Sequence, residues 1–492
     1  MIERRSVPAD WRWEAVVAGG LLLIGAAVGM THVLSTGSLS YDEAMYASKA
    51  RSLVSDIPAA WWPVHRPPGL AVLGILAAPA GFSDASVRVV TLVLGLINLA
   101  LVWALARSMW GSAAGLIALA AALASRVVLQ ELPRFHNDLV STAALVLLML
   151  LLWSQFERRA APNRLLLAAG PVAAIAFYMR YGSALPIAVI GAIAILLWGR
   201  QMVAHARLVG ATAGIAAFLA LPHVLYSVDA TGSPAGILSA ASAAANTSTP
   251  FVATREYLRW IPTSIGAPLA WLVGIIGVVH AVLLSVEWLR RRAMPILLRR
   301  HIWTLGTAAA SGLLIGIASH AEPRYQLFPL MLGLVAGAGA IGSAIEWIDH
   351  ESRLGPRASL LARTGLTVVI VVLALPAVLE ARVDPASREV APRWWAETGA
   401  LIAADAGGPC RVITSVPPLV GWYAGCETEL LADRPSAWLD DRGAAPTYVV
   451  LGPEDHRERP EWVSAHQGLV DSGHLARIDG TPADVDLYRA VP

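Results

Sequence analysis

The sequence predicts a polytopic α-helical membrane protein with a small α/β domain at its C-terminal end. Three observations predict it. Of 492 residues, 56 % are hydrophobic and only 15 % charged, against about a quarter charged in soluble domains. The apolar residues recur in runs of about 20, the length that crosses a hydrocarbon core about 30 Å thick at 1.5 Å per residue. After about residue 381 the pattern changes to short β-rich runs between polar stretches. A net charge of +2 carries no nucleic-acid signal, and no nucleic-acid partner is expected.

The apolar runs give about eleven transmembrane helices, near 14–33, 87–107, 112–130, 138–155, 164–181, 184–199, 208–226, 265–286, 302–319, 326–347 and 364–380. The first run follows "MIERR" and is too long for a signal-peptide core, so it reads as an uncleaved span. Pro186, Pro222, Pro329 and Pro376 lie in or beside spans, where neighbouring helices satisfy the freed carbonyls. Arginine sets the orientation. "MIERR", "ERRAAPNR" (157–164), "WLRRRAMPILLRRH" (288–301) and "RLGPRASLLAR" (353–363) fall on one face when the spans alternate, which makes that face cytoplasmic. The opposite face receives 34–86, 131–137, 227–264, 320–325 and everything after about 381. The expected domains are a transmembrane domain, 1–380, whose outer-face loop 34–86 carries an acidic motif, and an extracytoplasmic α/β domain, 381–492.

Within that tail, "WWAETGALIAADAG" reads as an amphipathic helix and "CRVITSVP", "TYVVLG" and "ADVDLYRAV" as strands. Cys410 and Cys426 would lie in an oxidising compartment, and a disulfide is expected if their Cα atoms come within about 7 Å. "AGILSAASAAANTSTP" (235–250) reads as a mobile loop and contains a weak glycosylation pattern at Asn246. The longer segment 227–264 is expected to close over donor or acceptor.

Chemically capable side chains gather on the outer face. "SLSYDEAMYASKARSLV" holds adjacent Asp42 and Glu43, then Lys49, the only lysine, and Arg51. "WWPVHRPPGL" holds His65 and Arg66, and "ELPRFHNDL" holds Glu131, Arg134, His136 and Asp138. "YMRYGS" holds Arg180 and Tyr181, and "SHAEPRYQLFP" holds His320, Glu322, Arg324 and Tyr325. Each has a plainer reading. Asp42 and Glu43 suit the first turn of a helix, "HRPPG" suits a turn, Asp138 suits a cap, and Arg324 suits an interfacial anchor. Glu131 suits an ion pair with Arg134, and His136 reads as a surface residue. Ionisable residues at membrane depth are nevertheless functional candidates. Glycosyl transfer from a lipid-linked sugar phosphate needs this set. One carboxylate takes the proton of the acceptor hydroxyl, cations hold the phosphate as its charge develops, and the lipid tail keeps the reaction at the interface.

"SYDEAMYASKARSLV", "HRPPGLAVL", "LPRFHNDLVSTAALVLLMLLLW" and "HAEPRYQLFPL" follow one another as do the motifs of GT-C glycosyltransferases. They most resemble the bacterial dolichyl-phosphate-mannose-protein mannosyltransferase-like group, which includes the lipid A aminoarabinose transferase. The resemblance covers roughly 15–345. It implies a polyprenyl-phosphate sugar donor, inversion, and a lipid, glycan or protein acceptor. It also implies Asp42 as general base with Glu43 in support. Arg66, where relatives often carry lysine, and Arg324 are implied as donor-phosphate ligands, with Lys49, Arg51 and Arg134 in reserve. Asp138, His320, Glu322, Tyr325 and Arg180 are implied around the substrate, although Arg180 stands where many relatives have lysine. No cofactor is required. Some GT-C enzymes hold a divalent metal through acids such as Asp42 and Asp138, but no metal ligand is expected here from spacing. Mannose, arabinofuranose and aminoarabinose are equally compatible. Two rivals stand beside this reading: a multi-helix transporter, though no internal repeat is visible, and a catalytically degenerate relative with a structural role.

Overall fold

The computed structural model describes residues 11–35, 37–159, 161–244, 252–260, 268–291, 294–319, 322–351, 394–431, 445–482 and 485–491. The chain is a multi-pass helical membrane protein. Among the described residues, eight helices are long and apolar enough to cross a bilayer: Trp13–Ser35, Asp84–Trp110, Asn137–Phe156, Tyr181–Ala204, Ala206–Thr231, Trp271–Arg290, Ile296–Ala318 and Pro323–Glu346. Two of the eleven expected spans are instead shorter apolar helices, Ser112–Leu123 and Arg164–Met179. The first stops because Ser125 turns extended after Ala124. The expected span 364–380 lies outside the described residues.

In chain order the helices are α1 (Trp11–Ser35), α2 (Tyr41–Ser52), α3 (Gly69–Gly74), α4 (Asp84–Trp110), α5 (Ser112–Leu123), α6 (Arg126–Glu131) and α7 (Asn137–Phe156). Then come α8 (Ala169–Met179), α9 (Ala184–Ala204), α10 (Ala206–Thr231), α11 (Gly236–Ala244), α12 (Val252–Trp260) and α13 (Pro268–Arg291). Helix α14 (Ile296–His301) runs through a π-turn, Ile302–Gly306, into α15 (Thr307–Ala318), and α16 (Leu327–Glu351) follows. Helix α11 corrects the mobile loop expected over 235–250. Its run of alanines with Ile237 and Leu238 favours helix, and Asn246 lies outside the described residues.

The residues divide into two units. Unit 1 comprises 1–32, 64–69 and 91–385, and unit 2 comprises 33–63, 70–90 and 386–492. Unit 1 is the helical bundle. Its centre is α16, whose "GLVAGAGAIG" run of small residues lets α5 and α13 approach it closely.

Unit 2 gathers most of the first loop with the C-terminal residues. Its helices α17 (Trp394–Ala406), α18 (Pro417–Ala424), α19 (Pro453–Glu458) and α20 (Pro460–Asp471) flank five strands: β1 (Arg411–Thr414), β2 (Glu427–Leu430), β3 (Thr447–Leu451), β4 (Leu475–Arg477) and β5 (Asp486–Ala490). The sheet order is β2-β1-β3-β5-β4. Strands β2, β1 and β3 are parallel, with Val412 opposite both Thr428 and Tyr448, whereas β5 runs antiparallel to β3 and β4. All five residues of β3 are buried, as expected of a central strand covered on both faces. Ile413, Val449, Leu451, Trp462, Leu475 and Tyr488 form the core on one side. Cys410 and Cys426 are joined by a disulfide with Cα atoms 4.8 Å apart.

Candidate active site

The expected site residues fall into two sets, one in each unit. In unit 2, Asp42 and Glu43 open α2, and Asp42 and Lys49 lie in that one continuous helix, two turns apart. The adjacent acids have separate fates. Glu43 is 2 % exposed. Its carboxylate accepts the Nε–H of Arg88 at 2.9 Å and an Nη2–H at 3.1 Å, and it accepts the backbone N–H of Ser40 at 2.9 Å. Glu43 is therefore a cap and an ion-pair partner. Asp42 is half-buried, the more accessible of the pair.

The cations of α2 also diverge. Lys49 Nζ lies 5.9 Å from the centre of the Trp62 ring, which meets Tyr46 edge-on. Arg51, expected as a reserve phosphate ligand, instead donates to the carbonyls of Trp422 at 2.9 Å and Gly421 at 3.2 Å and lies over the Trp422 indole.

In unit 1 an ionic cluster forms where α6, α7, α8 and the turn before α16 meet. Arg134 donates to Glu131 Oε1 at 3.2 Å, and His136 Nδ1 lies 2.9 Å from Glu131 Oε2. Arg324 Nη1 lies 3.0 Å from His136 Nδ1 and 3.4 Å from Nε2, so the imidazole sits between the Glu131 carboxylate and this guanidinium, and its tautomer sets which nitrogen accepts. Arg324 Nε approaches Asp138 at 3.7 Å and also pairs with Glu322. Arg180 pairs with Asp138 and stacks on Tyr325 with its guanidinium carbon 3.9 Å from the ring centre. Asp138 thus faces two guanidiniums. Tyr257 of α12 accepts the backbone N–H of Glu322 at 3.2 Å, tying that helix to the turn.

Local sequence explains why three motifs meet here. Arg180 sits in an extended break between α8 and a 3-10 turn, Tyr181–Ser183. Asn137 Nδ2 donates to the Met179 carbonyl at 2.9 Å. Gly69, which ends "HRPPG", lies so near the end of α8 that a Cβ would come within 2.5 Å of the Tyr178 carbonyl oxygen. Glycine alone permits that approach. A cavity opens among these groups. Asp138, Arg180, Arg324 and Tyr325 line its polar part, and Leu145, Leu185 and Phe328 its apolar part.

Three solved structures share this architecture. ArnT from Cupriavidus metallidurans, bound to undecaprenyl phosphate, superposes with a TM-score of 0.64 at 14 % identity, covering 98 % of this chain and 99 % of that one. The Archaeoglobus fulgidus oligosaccharyltransferase, tethered to an acceptor peptide containing an NVT sequon, superposes at 0.58 and 13 % identity, covering 98 % and 74 %. The arabinofuranosyltransferase AftD from Mycobacteria superposes at 0.53 and 15 % identity, covering 98 % and 40 %. The family model for dolichyl-phosphate-mannose-protein mannosyltransferase matches residues 65–226. No curated protein matches the chain in sequence. The family-model match covers about a third of the chain, and what the chain shares with the three structures is the fold.

Arg88 and His136 have roles here that their sequence context did not indicate. Arg88 hides in "SDASVRVV", an arginine inside an apolar run, and is 2 % exposed. A cation so placed signals a buried acid to pair with. His136, expected at the surface, is 5 % exposed because α6 and α7 enclose it. His320 lies outside the described residues. Arg66 lies on the turn before α3, three residues ahead of Gly69.

Glu131, His136 and Asp138 bring one ligand atom each within 4.8 Å of one another. Two carboxylates and an imidazole are a suitable donor set for a divalent ion. However, Arg134, Arg180 and Arg324 already contact those three groups. A divalent ion there would face guanidiniums at contact range, so the set does not fit a metal as it stands.

Burial alone would raise the Glu131 carboxyl, but His136, Arg134 and Arg324 hold it down to about 2, from an ordinary 4.5. Because the folded value is depressed, ionised Glu131 stabilises the fold above about 4.5, and that contribution is lost as pH falls towards 2. Thermal unfolding of the protein in detergent should therefore weaken more steeply over that window than unfolding of Glu131→Gln. Equal slopes would show that Glu131 carries no such charge.

Proposed function

We propose that this protein is an inverting glycosyltransferase that moves one sugar from a polyprenyl-phosphate donor to an acceptor outside the cytoplasm. One observation carries the proposal: Arg180 and Arg324 are both held against Asp138 in a cavity that turns apolar at Leu145 and Phe328. Guanidiniums favour bidentate pairing with phosphate, and an apolar wall suits the first isoprene units of the lipid. A fold shared over 98 % of the chain with a protein bound to undecaprenyl phosphate supports the same reading and leaves the transporter without support. The arginine-poor face is then extracytoplasmic, as are unit 2 and its disulfide.

In the reaction, the acceptor oxygen attacks the anomeric carbon and passes its proton to the Asp42 carboxylate. The bond from that carbon to the phosphate oxygen breaks, and polyprenyl phosphate leaves with the electron pair. Arg180 and Arg324 hold the phosphate as its charge grows. The leaving group is already good, so no strong general acid is needed. Arg66 is a further phosphate ligand, and Lys49 with Trp62 offers a cation and an aromatic face to the sugar.

The test is a panel of polyprenyl-phosphate monosaccharides given to the purified protein, with release of polyprenyl phosphate measured. Release should occur with one sugar class, should need an acceptor, and should persist in excess chelator. No release from any donor would favour a structural role, and loss of release on chelation would restore a metal to the Glu131, His136 and Asp138 cluster.

A further inference from the structure

The segment that leads into α2 is held by side chains at four consecutive residues. The Gly37 carbonyl accepts from Arg88 Nη1 at 2.8 Å, and the Ser38 carbonyl accepts from Arg88 Nη2 at 3.1 Å. The Leu39 N–H donates to the Tyr423 hydroxyl at 2.8 Å, and the Ser40 N–H donates to Glu43 at 2.9 Å. Asp42 comes two residues later, in the first turn of α2. Such density of side-chain bonds on a lead-in of four residues exceeds what a helix cap needs, since one or two bonds satisfy a terminus.

Two residues one turn apart on α4 anchor this cradle. Arg88 grips Glu43 and the carbonyls of Gly37 and Ser38. Asp84 accepts from the Tyr423 hydroxyl through Oδ2 and from the Trp422 indole N–H through Oδ1, each at 2.8 Å. Tyr423 therefore sits between Asp84 and the Leu39 amide, donating to one and accepting from the other. Burial and then the Asp84 charge raise the Tyr423 hydroxyl above its usual range, which keeps its proton in place to donate.

Tyr423 belongs to α18, in the C-terminal domain. Arg51, at the other end of α2, caps the carbonyls of the same helix. A Cβ on Gly421 would come within 2.8 Å of Ala60 Cβ, so α18 lies directly against the chain that follows α2. The disulfide between Cys410 and Cys426 brackets α18 on both sides. Helix α18 thus holds both ends of the acid-bearing helix.

We infer that Tyr423, supplied by the C-terminal domain and oriented by Asp84, is a positioning residue for the Asp42 carboxylate. This rests on Asp42 being the proton acceptor, as proposed above. A misplacement of about 1 Å in a reacting group can cost about 10²-fold in rate, and here it would remove no contact with the donor. Removing the Tyr423 hydroxyl deletes the Leu39 acceptor and the Asp84 donor together, while the ring still fills its place.

The experiment compares full-length Tyr423→Phe, Asp84→Asn and Asp42→Asn in the same detergent, using the donor that the panel identifies. Turnover, donor KM, thermal midpoint and hydrogen exchange at Leu39 are measured. Tyr423→Phe should lower kcat about 10- to 100-fold, leave donor KM within about twofold, keep the midpoint, and speed exchange at Leu39. Asp84→Asn should move the same way, and it carries the test if Tyr423→Phe fails to fold. An inactive Asp42→Asn beside a Tyr423→Phe of normal kcat overturns the inference alone. A loss of kcat that only tracks the fraction of folded protein also overturns it. An Asp42→Asn of normal turnover overturns the base assignment itself, and the inference with it.

Discussion

Asp42→Asn should lower turnover by about 10²- to 10⁴-fold, the range that general-base catalysis typically supplies. The substitution keeps the shape of the side chain and removes only its basicity. Donor binding should survive, because the proposed phosphate ligands lie on other elements. Arg324→Ala should show the opposite split, with donor affinity falling first. The two variants are separated by measuring donor binding directly alongside turnover. Near-normal turnover in Asp42→Asn would make the carboxylate structural and would sink the mechanism. Glu43→Gln is expected to act differently again. Its carboxylate is spent on Arg88 and Ser40, so its loss should appear mainly in stability.

Arg88→Met should be among the most destabilising single changes in the protein. Arg88 and Glu43 side chains are 2 % and 3 % exposed. Removing one partner of a buried ion pair leaves the other charge unpaired, at a cost of about 3–5 kcal/mol. The thermal midpoint in detergent should drop sharply, together with the yield of monodisperse protein. Glu43→Gln in the same chain should recover part of the loss, because no charge then remains buried. Additive losses in the double variant would show that the pair is not coupled. The recovery would concern folding alone, since the lead-in to Asp42 would still lack the Arg88 donors to Gly37 and Ser38.

The acids of the opening loop show where sequence reading stops. That Asp42 and Glu43 would diverge follows from the helix itself, because neighbouring side chains point about 100° apart. Which of the two would be buried does not follow. It depends on Arg88, 45 residues away in sequence, and on a hydroxyl from Tyr423, 384 residues from Leu39. Arg51 makes the same point. On sequence it is one more cation beside an acidic motif, and only contact with α18 commits it to capping that helix.

Local pattern in the chain carries the membrane helices and the strands. Apolar runs of bilayer length specify membrane helices, because an unpaired backbone group cannot persist in hydrocarbon. The β-rich runs of the tail specify strands, and the motif order agrees with the fold shared with the three solved structures. Even there, length misled at 112–130, where an extended Ser125 ends one helix and Arg126 begins the next. Which polar groups meet follows from long-range packing. His136 becomes buried, Asp138 gathers two guanidiniums, and most of the first loop joins the C-terminal domain in one unit. The physical reason is that hydropathy is a property of single segments, summed over near neighbours. A buried charge is set instead by its partners, and these come from helices that are distant in the chain.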